Sequence, residues 1–151
     1  MEKLLLTFER GGRLIADFND SAPETVRQIK AILPCQSQLV HSRYCGREIC
    51  FGIETKAHPA EENLQICADK FDVAYWRNWE NPERVGLPGS PGAETINLYY
   101  GREKILFKGQ PLNVSIIGRI SPDQEAMLDE IGNRIWQQGF EKVYAELIDR
   151  E

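Results

Sequence analysis

Apolar and polar positions alternate with a short period over much of this chain, and the alternation is broken at regular intervals by turn residues. Residues 3–9 hold Leu4, Leu5, Leu6 and Phe8, and Gly11-Gly12 follows with the positive φ that a tight turn needs. Residues 13–18, Arg-Leu-Ile-Ala-Asp-Phe, then predict the second strand of a hairpin. The period changes after Ser21. Val26, Ile29, Ile32 and Leu33 recur at helical spacing, Ser21 and Glu24 fit a capping box, Pro23 is tolerated in the first turn, and Pro34 stops the helix. Strands are predicted again over 38–45 and 48–53, with Gly46-Arg47 turning the chain between them.

Residues 54–70 read as a polar excursion, and 72–76, Asp-Val-Ala-Tyr-Trp, as a strand. Residues 77–92 carry Pro82, Pro88, Pro91, Gly86, Gly89 and Gly92, which predicts a long loop of the kind that often carries function. Strands follow over 94–100 and 112–120. Ser121-Pro122-Asp123-Gln124 opens a helix bearing Met127, Leu128, Ile131 and Ile135 on one face. After Gly139, the stripe Phe140, Val143, Tyr144, Leu147 and Ile148 predicts a last helix. Strands in runs, with helices grouped toward the ends, give an α+β, mainly β fold class. Short strands between turn signals suit a small closed β-barrel over about 3–120, with a helical extension over about 121–150, all in one domain spanning 1–151.

Composition narrows the function. A chain of 151 residues with 42% hydrophobic and 27% charged residues is an ordinary globular domain. Its 18 basic and 23 acidic residues leave a net charge of −5, and no basic stripe is present, which argues against nucleic acid. No apolar run approaches membrane-span length, and the N-terminal Leu4-Leu5-Leu6 run is too short for a secretory core, so a cytoplasmic protein without a membrane partner is expected. Cys35, Cys45, Cys50 and Cys67 form no C-x-x-C pair, and His41 and His58 lack zinc-ligand spacing; reduced thiols, no metal and no cofactor are expected.

The order of elements resembles the cyclophilins. Ala22-Pro23-Glu24-Thr25-Val26 opens the helix as theirs opens, and His41-Ser42-Arg43 stands where they carry a histidine-arginine run. The likeness is closer to small prokaryotic proteins of unknown function with a cyclophilin-like barrel, through His41-Ser42-Arg43-Tyr44-Cys45-Gly46, Phe71-Asp72-Val73-Ala74-Tyr75-Trp76 and Leu98-Tyr99-Tyr100-Gly101. It spans roughly residues 3–120. The resemblance implies a barrel, and a role for Arg43 against a ligand amide. The cyclophilin phenylalanine-methionine-x-glutamine-glycine-glycine-aspartate stretch does not follow Arg43, so the proline pocket is not carried over and prolyl isomerase activity is not expected.

On an extended 38–45 strand, His41 and Arg43 share a face with Leu39 and Cys45, while Tyr44 points the other way. Imidazole beside guanidinium makes an anion site; Arg43 could lower the pKa of the Cys45 thiol, but no base and orienting group are evident and a reactive thiol is not expected. Trp79 stands at the mouth of the Pro/Gly loop. Glu94 and Asn97 fall on opposite faces of their strand. The ligand-binding residues expected from sequence are therefore His41, Arg43, Tyr44, Trp79 and Glu94, with Arg43 as the catalytic residue of any reaction. The expected function is binding of a small anionic metabolite or a short peptide in a groove beside the 38–45 strand. Two alternatives stand beside it: a divergent prolyl isomerase, and a non-enzymatic interaction subunit docking through its C-terminal helices. A homodimer contact is expected of the last helical stripe if it finds no room on the barrel.

Overall fold

The computed structural model of the chain describes residues 1–79, 92–107 and 109–149, with Phe107 described by its backbone. Residues 80–91, most of the Pro/Gly loop, lie outside the described residues. Eight strands form the ring of the main sheet: β1 (Glu2–Phe8), β2 (Arg13–Phe18), β3 (Cys35–His41), β4 (Glu48–Ile53), β5 (Asp72–Arg77), β6 (Glu94–Tyr99), β7 (Val114–Ile120) and β8 (Glu141–Asp149); the two-residue strand Leu64–Gln65 adds to the sheet on β7. Two helices complete it, α1 (Pro23–Ala31) between β2 and β3, and α2 (Glu125–Gln138) between β7 and β8. Each strand pairs antiparallel with two neighbours in the order β1-β8-β3-β4-β6-β5-β7-β2, and β2 returns to β1, so the barrel is closed. Closure removes the exposed strand edges that an open sheet would present.

Closure depends on one irregularity. β7 shifts register between Ile116 and Gly118. The bulge turns Ile117 and Ile120 into the barrel, while Val114 and Ile116 pack outside it. A Cβ on Gly118 would lie 2.5 Å from the Asp17 carbonyl oxygen, so only glycine lets β7 approach β2 there. Leu4, Leu6, Leu14, Leu39, Ile49, Phe51, Tyr75, Ile96 and Leu98 fill the interior.

The last predicted helix is a strand. Residues 141–149 alternate, with Glu141, Val143 and Ala145 buried and Lys142, Tyr144 and Glu146 exposed. β1 and β3 leave two open edges, and β8 fills both at once. The stripe Phe140/Val143/Tyr144/Leu147 is split between faces, with Phe140 65% and Tyr144 42% exposed, which removes the helical surface expected to dock a partner or a second copy. The barrel therefore runs to residue 149, not to 120, and the expected helical extension reduces to α2, inserted between β7 and β8. Glu141 anchors the entry to β8: its carboxylate accepts bonds from Arg10 and Arg134 while 4% exposed.

Caps also differ from expectation. Ala22, not Ser21, precedes α1 and supplies no side-chain bond. Glu62 does the capping from the excursion after β4, accepting from Thr25 N (2.6 Å), Thr25 Oγ1 (2.6 Å) and Glu24 N (3.3 Å). Gln124 turns its amide to β2 instead of capping α2, accepting from Ile15 N and donating to Ile15 O, both at 2.8 Å, as a neighbouring strand would. Of the described helices, none is long and apolar enough to cross a membrane.

α2 lies across the end of the barrel where β3 and β6 finish. Gly132 faces the Tyr100 ring so closely that an added Cβ would lie 2.6 Å from it. α1 lies at the opposite end, between the end of β2 and the start of β3.

Candidate functional site

Three places hold the residues of interest. The first is the α2 end. The predicted 38–45 strand stops at His41, and Arg43–Cys45 is a 3₁₀ turn, so Arg43 does not share a pleat face with His41. The two side chains meet instead on Trp136 of α2. The Arg43 guanidinium lies 4.1 Å from the centre of the indole and donates to the Trp136 carbonyl. The His41 ring meets the same indole edge-on at 4.7 Å, and its Nε2 is 2.5 Å from the Tyr100 hydroxyl. Burial, helped by the Arg43 charge, lowers the His41 pKa to about 4, so the imidazole is neutral at physiological pH. An anion approaching here meets a neutral ring and a guanidinium already engaged.

The second place is the opposite end. Glu94 opens β6 with its side chain on the inner face, alongside Ile96 and Leu98; Asn97 is on the outer face, as alternation requires. Glu94 is 3% exposed. Its Oε1 accepts from the Tyr75 hydroxyl (2.6 Å) and the Thr55 hydroxyl (2.5 Å), and its Oε2 accepts from Thr55 N (3.0 Å). His58 Nδ1 stands 3.7 Å from Oε2. Trp79 packs edge-on against Tyr75 at 6.0 Å and donates to the Pro59 carbonyl. Beside Glu94 lies a groove of about 770 Å³, lined by Ile32 and by Cys35, Ser37, Ile53, Glu54 and His58 among others. The described lining holds two carboxylates and no Lys or Arg.

The third place was not expected. The outer faces of β4, β6, β5 and β7 are as buried as their inner faces, because the segments around 63–68, 102–106 and 109–113 fold over them. Beneath this cover the outer face is polar: Glu48, Cys50, Thr95, Asn97 and Tyr99 are each 4% exposed or less. Asn97 Nδ2 donates to Glu48 Oε1 (3.1 Å), and Thr95 Oγ1 donates to Asn97 Oδ1 (2.6 Å). Glu48 Oε2 and the Tyr99 hydroxyl make no hydrogen bond of good geometry, although Tyr99, Ser42 and Cys45 surround the carboxyl group. An unpaired buried polar atom of this kind costs about 1–3 kcal/mol. Burial raises the Glu48 pKa to about 7. A slot of about 20 Å³ is lined by Glu48, Asn97, Trp76, Val114, Ser42, Tyr44 and Leu112 among others.

The thiols here are not acidic. Cys45 donates to the Leu106 carbonyl, and burial pushes its pKa up; Cys50 is raised to about 12. All four cysteines are free.

Of the five residues named from sequence, His41 and Arg43 thus lie at the α2 end, Tyr44 at the outer slot and Glu94 at the groove, while Trp79 packs on Tyr75 without lining the groove. Glu48 escaped sequence reasoning because a carboxylate next to a turn reads as solvent-facing. The available signal was that Glu48 and Cys50 share a face, as Thr95, Asn97 and Tyr99 do.

A family model matches residues 9–145, and its description is "Protein of unknown function (DUF3830)". The chain belongs to the DUF3830 family. Among solved structures, this DUF3830 chain is similar to McbB, whose structure was determined in complex with tryptophan. The TM-score is 0.66 at 15% identity, over 95% of this chain and 44% of McbB, so the chain spans less than half the length of that protein. No curated protein sequence matches it. The likeness establishes the fold: the DUF3830 chain is a small cyclophilin-like barrel, closed by eight antiparallel strands with a helix at each end.

Proposed function

We propose that this DUF3830 protein binds a small organic molecule carrying a protonated amine, in the groove beside Glu94. The observation that carries the reading is a buried carboxylate set in a groove of about 770 Å³ whose described lining contributes Glu54 as a second carboxylate and no Lys or Arg. Volumes of this order suit drug-sized ligands, and a few fixed polar groups in a mixed lining orient them. Tyr75 and Thr55 take both lone-pair directions of Oε1 and one of Oε2, which fixes the carboxylate and leaves one acceptor position of Oε2 on the side of His58. An ammonium donor satisfies that position, and charge-assisted bonds of this kind are among the stronger ones. McbB holds tryptophan, itself an amine-bearing molecule, which supports the view that a barrel of this fold takes such ligands.

This reading replaces the anion first suggested by His41 and Arg43. Those groups face Trp136, and the groove carries the opposite charge.

The test is a thermal-shift comparison of aryl-alkyl amines with matched carboxylic acids, on the wild type and on Glu94→Gln. The glutamine amide donates to the Tyr75 and Thr55 hydroxyls, which can accept, while its oxygen keeps the Thr55 N–H. A binding amine at about a hundred times its dissociation constant adds roughly 2.7 kcal/mol, or about 5–11 °C for a domain of this size. That shift is lost in Glu94→Gln. Acids that shift the wild type as much as the amines, or an amine shift that survives Glu94→Gln, would reject the reading.

A further inference from the structure

The polar slot on the outer face of β4 and β6 has features that packing does not require. The outer side of a covered sheet is ordinarily apolar, and here its neighbours Ala74, Val114 and Ile116 are. Glu48 instead holds beside the slot a carboxyl oxygen that makes no hydrogen bond of good geometry, although Tyr99, Ser42 and Cys45 stand next to it, from a side chain 3% exposed. The Tyr99 hydroxyl, on a residue with no exposure, likewise makes no hydrogen bond of good geometry, although Glu48 and Asn97 stand beside it. Buried groups left in this state in a folded protein call for a ligand, an ordered water or a catalytic role to explain them.

The rim has a definite hydrogen-bond pattern. Glu48 Oε2 is an open acceptor. Asn97 Nδ2 gives one hydrogen to Glu48 Oε1 and carries a second. Acceptor and donor stand side by side, on a strand pair whose register places Glu48 opposite Tyr99 and Cys50 opposite Asn97. Trp76, Tyr44, Ile105, Leu112 and Val114 supply the remaining, largely apolar walls. A polar edge between flat and apolar walls fits a planar molecule that presents an N–H next to a carbonyl.

We propose that the slot beneath Tyr44 is a second ligand site, which takes the N–H/C=O edge of a small uncharged lactam or amide at Glu48 and Asn97. As closed, its 20 Å³ holds about one water. Tyr44 is the door. It is 39% exposed and sits on the three-residue turn Arg43–Cys45, ahead of Gly46 at φ +78°. Its hydroxyl reaches inward to Ser42, while its ring forms the outer wall of the slot. Rotation of that one side chain opens the slot without breaking a strand pair. The site is separate from the groove at Glu94: no residue lines both.

The experiment uses 2-pyridone, with N-methyl-2-pyridone as the matched molecule that lacks the N–H. Binding is read from the indole resonance of Trp76 in ¹H–¹⁵N spectra of wild type, Tyr44→Ala, Glu48→Gln, Tyr44→Ala/Glu48→Gln and Glu94→Gln. 2-Pyridone is expected to shift the Trp76 signal in saturable fashion in the wild type, or in Tyr44→Ala where the door is absent. The same titration weakens at least tenfold when Glu48→Gln is added to whichever background binds, is unchanged by Glu94→Gln, and is not reproduced by the N-methyl compound. Equal binding of the two compounds overturns the proposal, and so does binding indifferent to Glu48→Gln. A crystal of Tyr44→Ala soaked in 2-pyridone that shows a lone ordered water between Glu48 and Tyr99 overturns it as well, and identifies the slot as a structural water site. If the amine test at Glu94 fails while 2-pyridone binds, the groove reading alone is lost.

Discussion

Replacing Glu48 by glutamine removes the one fully buried carboxyl group among the described residues whose titration falls near neutrality, and the consequence for stability has a definite sign. Burial raises the Glu48 pKa from 4.5 to about 7 in the folded chain, while in the unfolded chain it keeps the ordinary value. Between those pH values the folded state therefore holds the proton more firmly than the unfolded state. Stability is at its full value below about pH 4.5, falls as the pH rises, and levels off above about pH 7. At about 1.36 kcal/mol per pKa unit, the loss across that window approaches roughly 3 kcal/mol, and full burial leaves little solvent screening to reduce it. Glutamine has the same shape, keeps the carbonyl oxygen that accepts from Asn97, and places an N–H₂ where Oε2 faces Tyr99. It does not titrate. Glu48→Gln should match the wild type at pH 4.5 and exceed it by up to roughly 3 kcal/mol at pH 8, which is roughly 6–12 °C in melting temperature for a chain of this length. Urea unfolding at half-unit steps from pH 4.5 to 8.5 measures the difference, and all other titrating groups cancel between the two proteins. Two curves that run parallel across the window would refute the assignment of a buried, unpaired carboxyl group to Glu48. A difference of the opposite sign would mean that Glu48 is held as a carboxylate by a partner.

Two further outcomes test the architecture. Gly132→Ala drives a methyl group to 2.6 Å from the Tyr100 ring, where α2 closes the barrel, and should cost about 1–3 kcal/mol in denaturant unfolding; an unchanged midpoint would show that α2 can ride outward. Glu62→Ala strips α1 of its only side-chain cap among the described residues, leaving Thr25 N, Thr25 Oγ1 and Glu24 N without their carboxylate; a loss of about 1 kcal/mol in urea unfolding is expected, and no loss would return the cap to Ser21.

The strands of the first two hairpins were legible because their apolar alternation and turn glycines are local facts. β1, β2 and β4 stand where the pattern put them, and Pro23 and Pro34 punctuate α1 as read. β8 was misread for a physical reason. Phe140, Val143, Tyr144 and Leu147 satisfy a helical stripe, while Val143, Ala145 and Leu147 satisfy an alternating one, and a short segment fits both periods. The unpaired edges of β1 and β3 decide between them, and those edges exist only once the barrel has curled. The same holds for the sites. His41 and Arg43 were visible as an imidazole near a guanidinium, but Trp136, 93 residues beyond Arg43, determines what they face. Glu94 could be placed on a face by alternation, yet its setting depends on Tyr75 and Thr55 arriving from other strands and loops. Glu48 could not be singled out, because burial of a strand's outer face is decided by distant cover.

The sequence by itself determined the elements whose signals are local: the alternating strands, the turns, the amphipathic faces of α1 and α2, and a composition that fits a packed globular core. Tertiary structure decided the rest. Barrel closure made a strand of the C-terminus, folded-over segments turned polar strand faces into a buried slot, and convergence of strand ends placed Glu94 in a groove. Each of these rests on contacts between residues far apart in the chain, whose free energy exists only in the assembled barrel.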